Sequence, residues 1–165
     1  MAQVFMGSFR MQVDGKGRVG LPSKYKSILR ELCPEQVDSV GVMITPDRSV
    51  KVMPYPYFLE EIERWSRMDE HNAYEMMVRN MNTSIADTMA LDNQHRFKLN
   101  QMMMDLCGIE LQTQVVVSGC MDHMRIYNEQ VYYQAVYNYN VALARLERAV
   151  GVAFTSPEFS SRRSD

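Results

Sequence analysis

The segment Asp14-Gly15-Lys16-Gly17-Arg18 brings together residues with a definite chemical use. Gly15 and Gly17 remove side chains, so backbone N–H groups there can approach phosphate oxygens. Lys16 adds a mobile positive charge. Arg18 carries the planar fork that matches O6 and N7 of guanine, the commonest specific contact in the DNA major groove. Asp14 has two readings of equal weight: it holds the Arg18 guanidinium in place, or it caps the turn as an Asx residue. The pattern returns 78 residues on as Asp92-Asn93-Gln94-His95-Arg96, with Lys98 two residues later. Arg10, Lys24 and Lys26 are candidates for phosphate contacts, each equally well read as solvated surface.

Other chemistry is poorly served by this chain. No nucleophile has a base at usable spacing, and no paired carboxylates stand near a histidine. Two glycines opening onto a strand do not make a P-loop, so an enzyme is not expected. The three histidines lack ligand spacing, so no metal site and no cofactor is expected. Cys33, Cys107 and Cys120 form no Cys-x-x-Cys pair, and an odd count argues for buried thiols in a reducing compartment. With 165 residues, 46% apolar and 23% charged, the chain has a globular composition and the size of one ordinary domain or of two small halves sharing a core. No run reaches the roughly 18 apolar residues of a membrane span, and the apolar stretch within Met1 to Arg10 is too short for a signal peptide, so neither is expected. A soluble, cytoplasmic protein with no membrane partner and no small-molecule substrate is expected.

The net charge of −2 conceals an asymmetry. Residues 1–30 carry six cations against Asp14 alone, a sum of +5, which leaves −7 for residues 31–165. A basic segment on an acidic body can turn one positive face toward phosphates while repelling them elsewhere.

The elements that must position these residues also occur twice. Leu32-Cys33 recurs as Leu106-Cys107, Val40 to Ile44 as Val115 to Val117, and Val50 to Met53 as Met124 to Tyr127. The reading is a duplication. In each half an alternating strand (Phe9 to Val13; Asp87 to Leu91) leads through a tight turn into a second short strand. A helix follows, with Tyr25, Ile28, Leu29 and Leu32 at helical spacing after Pro22-Ser23 in the first half. In the second, Asn100 caps Gln101 to Cys107 and Gly108 ends it. A hairpin then turns at Pro46 to Ser49 and at Gly119 to Asp122, and closing helices begin near Pro56 and Asn128. Phe58, Ile62 and Trp65 make one apolar stripe, and Ala73, Met76, Met77 and Met81 another. The fifteen methionines are read as core filling. The last helix runs from about Glu129 to Val150 and stops at Gly151.

Asp14 to Arg18 with Leu21-Pro22, followed at this distance by a second Asp-x-x-x-Arg, resembles the MraZ family. These are bacterial regulators found at the head of the division and cell-wall gene cluster. The resemblance covers about residues 5–150 and includes Phe5-Met6-Gly7 and the strand from Val115 to Gly119 leading to Met124-Arg125-Ile126-Tyr127. It implies an α+β fold similar to AbrB and SpoVT, with two tandem repeats interleaved into one pseudo-two-fold swapped-hairpin β-barrel with flanking helices. The implied organisation is a first repeat over 5–54, a helical connection over 55–83, a second repeat over 84–128, a C-terminal helix over 129–151 and a flexible tail over 152–165. It further implies a nucleoid-associated transcription regulator, assembled with copies of itself into a closed ring larger than a dimer. Its target would be double-stranded DNA, at short G-rich direct repeats in the operon's own promoter. The chain departs from the family in the second motif, where His95 and Asn100 stand for the usual Gly and Pro. The backbone at His95 must then tolerate a conformation that His disfavours or adopt another turn. A different class of function remains open beside this one: a ring-forming scaffold whose basic loops bind an acidic protein partner.

Overall fold

Eight strands and five helices form among residues 4–151, the part of the chain that this computed structural model describes. The first half gives β1 (Ser8–Gln12), β2 (Arg18–Gly20), α1 (Ser23–Leu32), β3 (Ser39–Thr45), β4 (Ser49–Pro54) and α2 (Tyr55–Ser66). After α3 (Ala73–Ile85) the same order returns as β5 (Ala86–Ala90), β6 (Arg96–Lys98), α4 (Gln101–Cys107), β7 (Gln114–Gly119), β8 (Met124–Asn128) and α5 (Glu129–Val150). The chain divides into two units between Glu129 and Gln130. Everything below concerns the first, apart from α5, which runs to Val150 and ends where Gly151 takes φ +69°. The expected tail, residues 152–165, lies outside the described residues.

Local chemistry accounts for the helix ends. The Pro22 carbonyl accepts the Tyr25 and Lys26 amides at 2.9 and 3.1 Å, which starts α1 and turns Tyr25, Ile28 and Leu29 into the core. Asn100 Oδ1 accepts the Met103 amide at 2.8 Å, and Gly108 closes α4 at φ +64°. Such a cap is worth about 1 kcal/mol.

Six strands pair antiparallel in the order β1-β7-β8-β4-β3-β5, and β2 pairs with β6 as a separate two-stranded ribbon. Exchanging each first-half strand for its second-half equivalent reverses that order, so the topology is two-fold about the β4–β8 pair. β1 pairs with β7 of the other half, and β5 with β3. No ladder joins β1 to β5, so among the described residues the sheet is open in its hydrogen bonding and no closed barrel is found.

The main core gathers Val19, Leu21 and Tyr25 from one half and Phe97, Leu99 and Met103 from the other, with Val42, Val117 and Ile126 from the sheet. A smaller cluster joins Phe58 and Trp65 of α2 to Met53. Gly41 permits it, because a Cβ there would overlap the Phe58 ring. Two apolar expectations need correction. Met53, Met89, Met103, Met104 and Met124 do fill the core, but α3 buries no residue, and Met77 and Met81 are each 55% exposed. Ile62 likewise faces out while Phe58 and Trp65 face in. Helical spacing marks a stripe, but not whether anything packs over it. Among the described residues, no helix is long and apolar enough to cross a membrane.

Candidate functional site

The two Asp-x-x-x-Arg loops fold into the same turn. In the first, Asp14 Oδ1 accepts the Lys16 and Arg18 amides, each at 2.9 Å, while Oδ2 takes Arg18 Nε at 2.6 Å. The Gly17 amide donates to the Asp14 carbonyl at 3.1 Å. In the second, Asp92 Oδ1 accepts the Gln94 and Arg96 amides, each at 2.9 Å, and Oδ2 takes Arg96 Nε at 2.9 Å. The His95 amide donates to the Asp92 carbonyl at 2.9 Å. Asp14 therefore does both things that the sequence allowed it, capping the turn and holding the guanidinium, and Asp92 does the same for Arg96.

The electrostatics follow from these bonds. The Arg18 amide first of all, then the Arg18 side chain and the Lys16 amide, outweigh the raising effect of desolvation and hold the Asp14 carboxyl at about 2. Asp92 is lowered by the same arrangement, led by the Arg96 amide. Because each carboxylate engages Nε, the two terminal nitrogens of Arg18 and of Arg96 have no partner among the described residues. A fork held at its base keeps its tips for a planar pair of acceptors.

One expectation about the glycines changes. The Lys16, Gly17 and Arg18 amides all turn inward to Asp14, so Gly17 does not offer its N–H to a phosphate. Glycine suits position 17 because φ is +79° there. His95, its counterpart, adopts φ +55°, so the second loop keeps the turn and bears the strain. For a residue with a Cβ the left-handed region costs about 1–2 kcal/mol.

Both loops open onto the ribbon. Its register sets Arg18 opposite Lys98, Val19 opposite Phe97 and Gly20 opposite Arg96. Val19 and Phe97 are buried, which turns Arg18, Lys98 and Arg96 to the other face, where Lys98 is exposed. Each half clasps the other's loop: the Leu99 amide bonds the Gly17 carbonyl at 2.9 Å, and the Leu21 amide the His95 carbonyl at 3.1 Å. A cleft of about 730 Å³ beside the first loop is lined by Gly15, Lys16, Arg18, Lys98 and Gln101, with Leu111 among its apolar residues.

The remaining candidates stand apart from that cleft. Arg10 pairs with Glu129 at 3.0 Å, and Lys24 Nζ reaches the Met6 carbonyl at 3.2 Å. Lys26 Nζ lies 3.4 Å from the Gln94 carbonyl, at the second loop. One turn further along α1, Arg30 Nη2 lies 3.4 Å from His95 Nε2, a neighbour that sequence reading did not assign. The four-residue step from Lys26 to Arg30 already put both on one helix face. A polar cluster also went unread. Asp47 Oδ1 accepts the Thr45 and Ser49 hydroxyls, each at 2.6 Å, and Oδ2 takes Arg125 Nη1 at 2.9 Å and the Tyr127 hydroxyl at 2.8 Å. Its partners come from both halves, and nothing local in the sequence marks them.

The three cysteines are free, with Cys33 and Cys107 buried, and burial raises all three thiols, Cys107 to about 11. Among the described residues, no group of histidine, cysteine and carboxylate side chains could hold a metal ion.

No family model matches the chain. Curated relatives do. The transcriptional regulator MraZ of Corynebacterium jeikeium is 32% identical over 130 residues, 77% of this chain and 82% of the relative. That of Corynebacterium urealyticum is 28% identical over 130 residues, covering 78% and 84%. That of Saccharophagus degradans is 23% identical over 133 residues, covering 81% and 88%.

Proposed function

The chain belongs to the MraZ family of transcriptional regulators, and from that premise we propose that it binds double-stranded DNA sequence-specifically through the β2–β6 ribbon. One observation carries this reading: Arg18, Lys98 and Arg96 share a ribbon face whose reverse, Val19 and Phe97, is buried. The major groove admits a two-stranded ribbon, and guanine offers there the paired acceptors that an arginine fork fits. Arg18 is the base reader, held by Asp14. Lys16 and the Gly15 backbone meet phosphate, and Arg96 with Lys26 gives mainly electrostatic support. Arg10, whose charge Glu129 offsets, and Lys24, which reaches the Met6 carbonyl rather than either loop, contribute only to the field.

The target is short G-rich direct repeats in the promoter of the division and cell-wall cluster. One ribbon grips few phosphates and the chain is acidic overall, so useful affinity needs several ribbons acting together. The protein therefore acts as a homo-oligomer larger than a dimer, on repeats about 10 bp apart so that successive subunits meet the same side of the helix. The pairing of β1 with β7 and of β5 with β3, each across the halves, supports a duplicated swapped-hairpin architecture.

Fluorescence titrations on a G-rich repeat duplex and a scrambled duplex, at two salt concentrations, test the reading. Arg18→Ala should cost about 1–3 kcal/mol per engaged subunit on the G-rich duplex and narrow the gap between the two. Lys16→Ala should weaken both and flatten the salt dependence. Equal losses on both duplexes for Arg18→Ala would sink its role as base reader. Binding to neither duplex would favour the scaffold with an acidic protein partner.

A further inference from the structure

Lys98 belongs by sequence to the second motif, yet the ribbon sets it directly opposite Arg18 of the first. Directly opposed residues of an antiparallel pair share a face, with Cβ atoms about 4.5–5.5 Å apart. Both residues line the cleft beside the first loop, together with Lys16. Lys98 is exposed and has no hydrogen-bond or ion-pair partner among the described residues. Two cations set opposite each other repel in the free protein, a local conflict of the kind that folded chains keep where a ligand relieves it. Asp14 offsets only one of the two charges.

The other end of the ribbon lacks this pairing. Arg96 faces Gly20, the counterpart of Lys98, and a Cβ at Gly20 would lie 3.5 Å from Arg96 Cγ. The two arginines thus share their loops but not their neighbours.

Resting on the proposed DNA-binding reading, we infer that Arg18 and Lys98 act as one specificity unit, drawn from both halves of the chain, that takes the acceptors of two neighbouring guanines. Side chains spaced as these are can serve successive bases, which stack about 3.4 Å apart along a strand. Arg18 fits O6 and N7 of one guanine, and the Lys98 ammonium reaches the same pair of atoms on the next. Lys98 works with the first loop and not with its own.

A double-mutant cycle on the full chain tests this, using the G-rich repeat duplex and its scrambled counterpart as probes. Lys98→Ala should weaken binding to the G-rich duplex about tenfold and to the scrambled one far less. In an Arg18→Ala background the same change should cost less than about threefold, whereas its loss should multiply with that of Arg96→Ala. Lys98→Met keeps an unbranched chain of similar length without the charge and should behave as Lys98→Ala does, with circular dichroism confirming the fold. Losses that multiply between Lys98 and Arg18 while Arg18→Ala still weakens the G-rich duplex would overturn the unit alone. So would equal losses on both duplexes with a salt slope reduced by about one, the mark of a phosphate contact. Wild-type binding by Arg18→Ala would overturn both this inference and the function it rests on.

Discussion

At the scale of single residues, the aspartates carry a consequence that runs against simple electrostatics. Removing a carboxylate from the face proposed to meet DNA ought to favour phosphates, yet Asp14 holds both the turn and the Arg18 fork. Asp14→Ala should therefore weaken binding to a G-rich duplex at least as much as Arg18→Ala, although it raises the net charge; tighter binding in the same titration would contradict this. His95 makes the converse case. It occupies the left-handed region at φ +55°, so His95→Gly should stabilise the fold by about 1 kcal/mol, seen as a rise in unfolding temperature, and should keep or tighten binding. A folded His95→Gly protein that no longer binds would make the imidazole itself a contact. Much here was legible in the sequence, because the Asp-x-x-x-Arg spacing encodes the turn locally. The inward-turned amides were not, since side-chain spacing does not say where an N–H points.

At the scale of elements, the ribbon is where sequence and structure part most. Each strand is three residues long, too short for periodicity to define, and its partner lies almost half a chain away. The opposition of Arg18 to Lys98 could only be seen once the strands paired. Helix α4, by contrast, was readable to its bounds because Asn100 and Gly108 are local start and stop signals. The α3 methionines show the limit of such reading, since spacing cannot reveal whether a partner covers them. The unequal ends of the ribbon permit a gain-of-function test. Position 20 has room for a side chain, with Arg96 Cγ 3.5 Å and Met11 Cε 3.7 Å from a Cβ built there. Gly20→Lys should set a cation opposite Arg96 and tighten binding to G-rich repeats severalfold, roughly the worth of one added base contact. Unchanged affinity in a folded protein would show that the ribbon's second end does not reach the groove.

At the scale of the whole molecule, the two halves are tied by buried apolar contact, by shared strand ladders and, among side chains, by the polar cluster around Asp47. Burial alone would raise the Asp47 carboxyl, but bonds from Ser49, Thr45 and Tyr127 and the charge of Arg125 bring it down to about 2. Burial and the bond to Asp47 push Tyr127 up to about 12. A carboxylate lowered by folding contributes stability above its ordinary value near 3.9 and loses it as the pH falls toward 2. A phenol raised by folding contributes below about 10 and loses it as the pH rises toward 12. The stability difference between wild type and Asp47→Asn should accordingly be constant from about pH 5 to 9 and shrink below about pH 4, as denaturant titrations would read. A difference that grew on acidification would refute the linkage. The recurring order of elements was legible because the motif recurs with its flanks in order, whereas the pairing of β1 and β5 with strands of the other half follows from no local pattern. Assembly belongs to this scale too: sedimentation at tens of micromolar should give a species larger than a dimer, and monomers alone would count against binding through several ribbons at once.

The central claim is that Arg18, braced by Asp14 on the β2–β6 ribbon, reads guanine in the major groove. Methylation interference at guanine N7 tests it most directly, because the methyl group occupies the acceptor that the fork requires. On a G-rich repeat duplex, N7 methylation of particular guanines in each repeat should block the wild-type protein, and Arg18→Ala should lose that sensitivity at the guanine it no longer touches. Wild-type binding indifferent to N7 methylation, or an interference pattern that Arg18→Ala leaves unchanged, would contradict it.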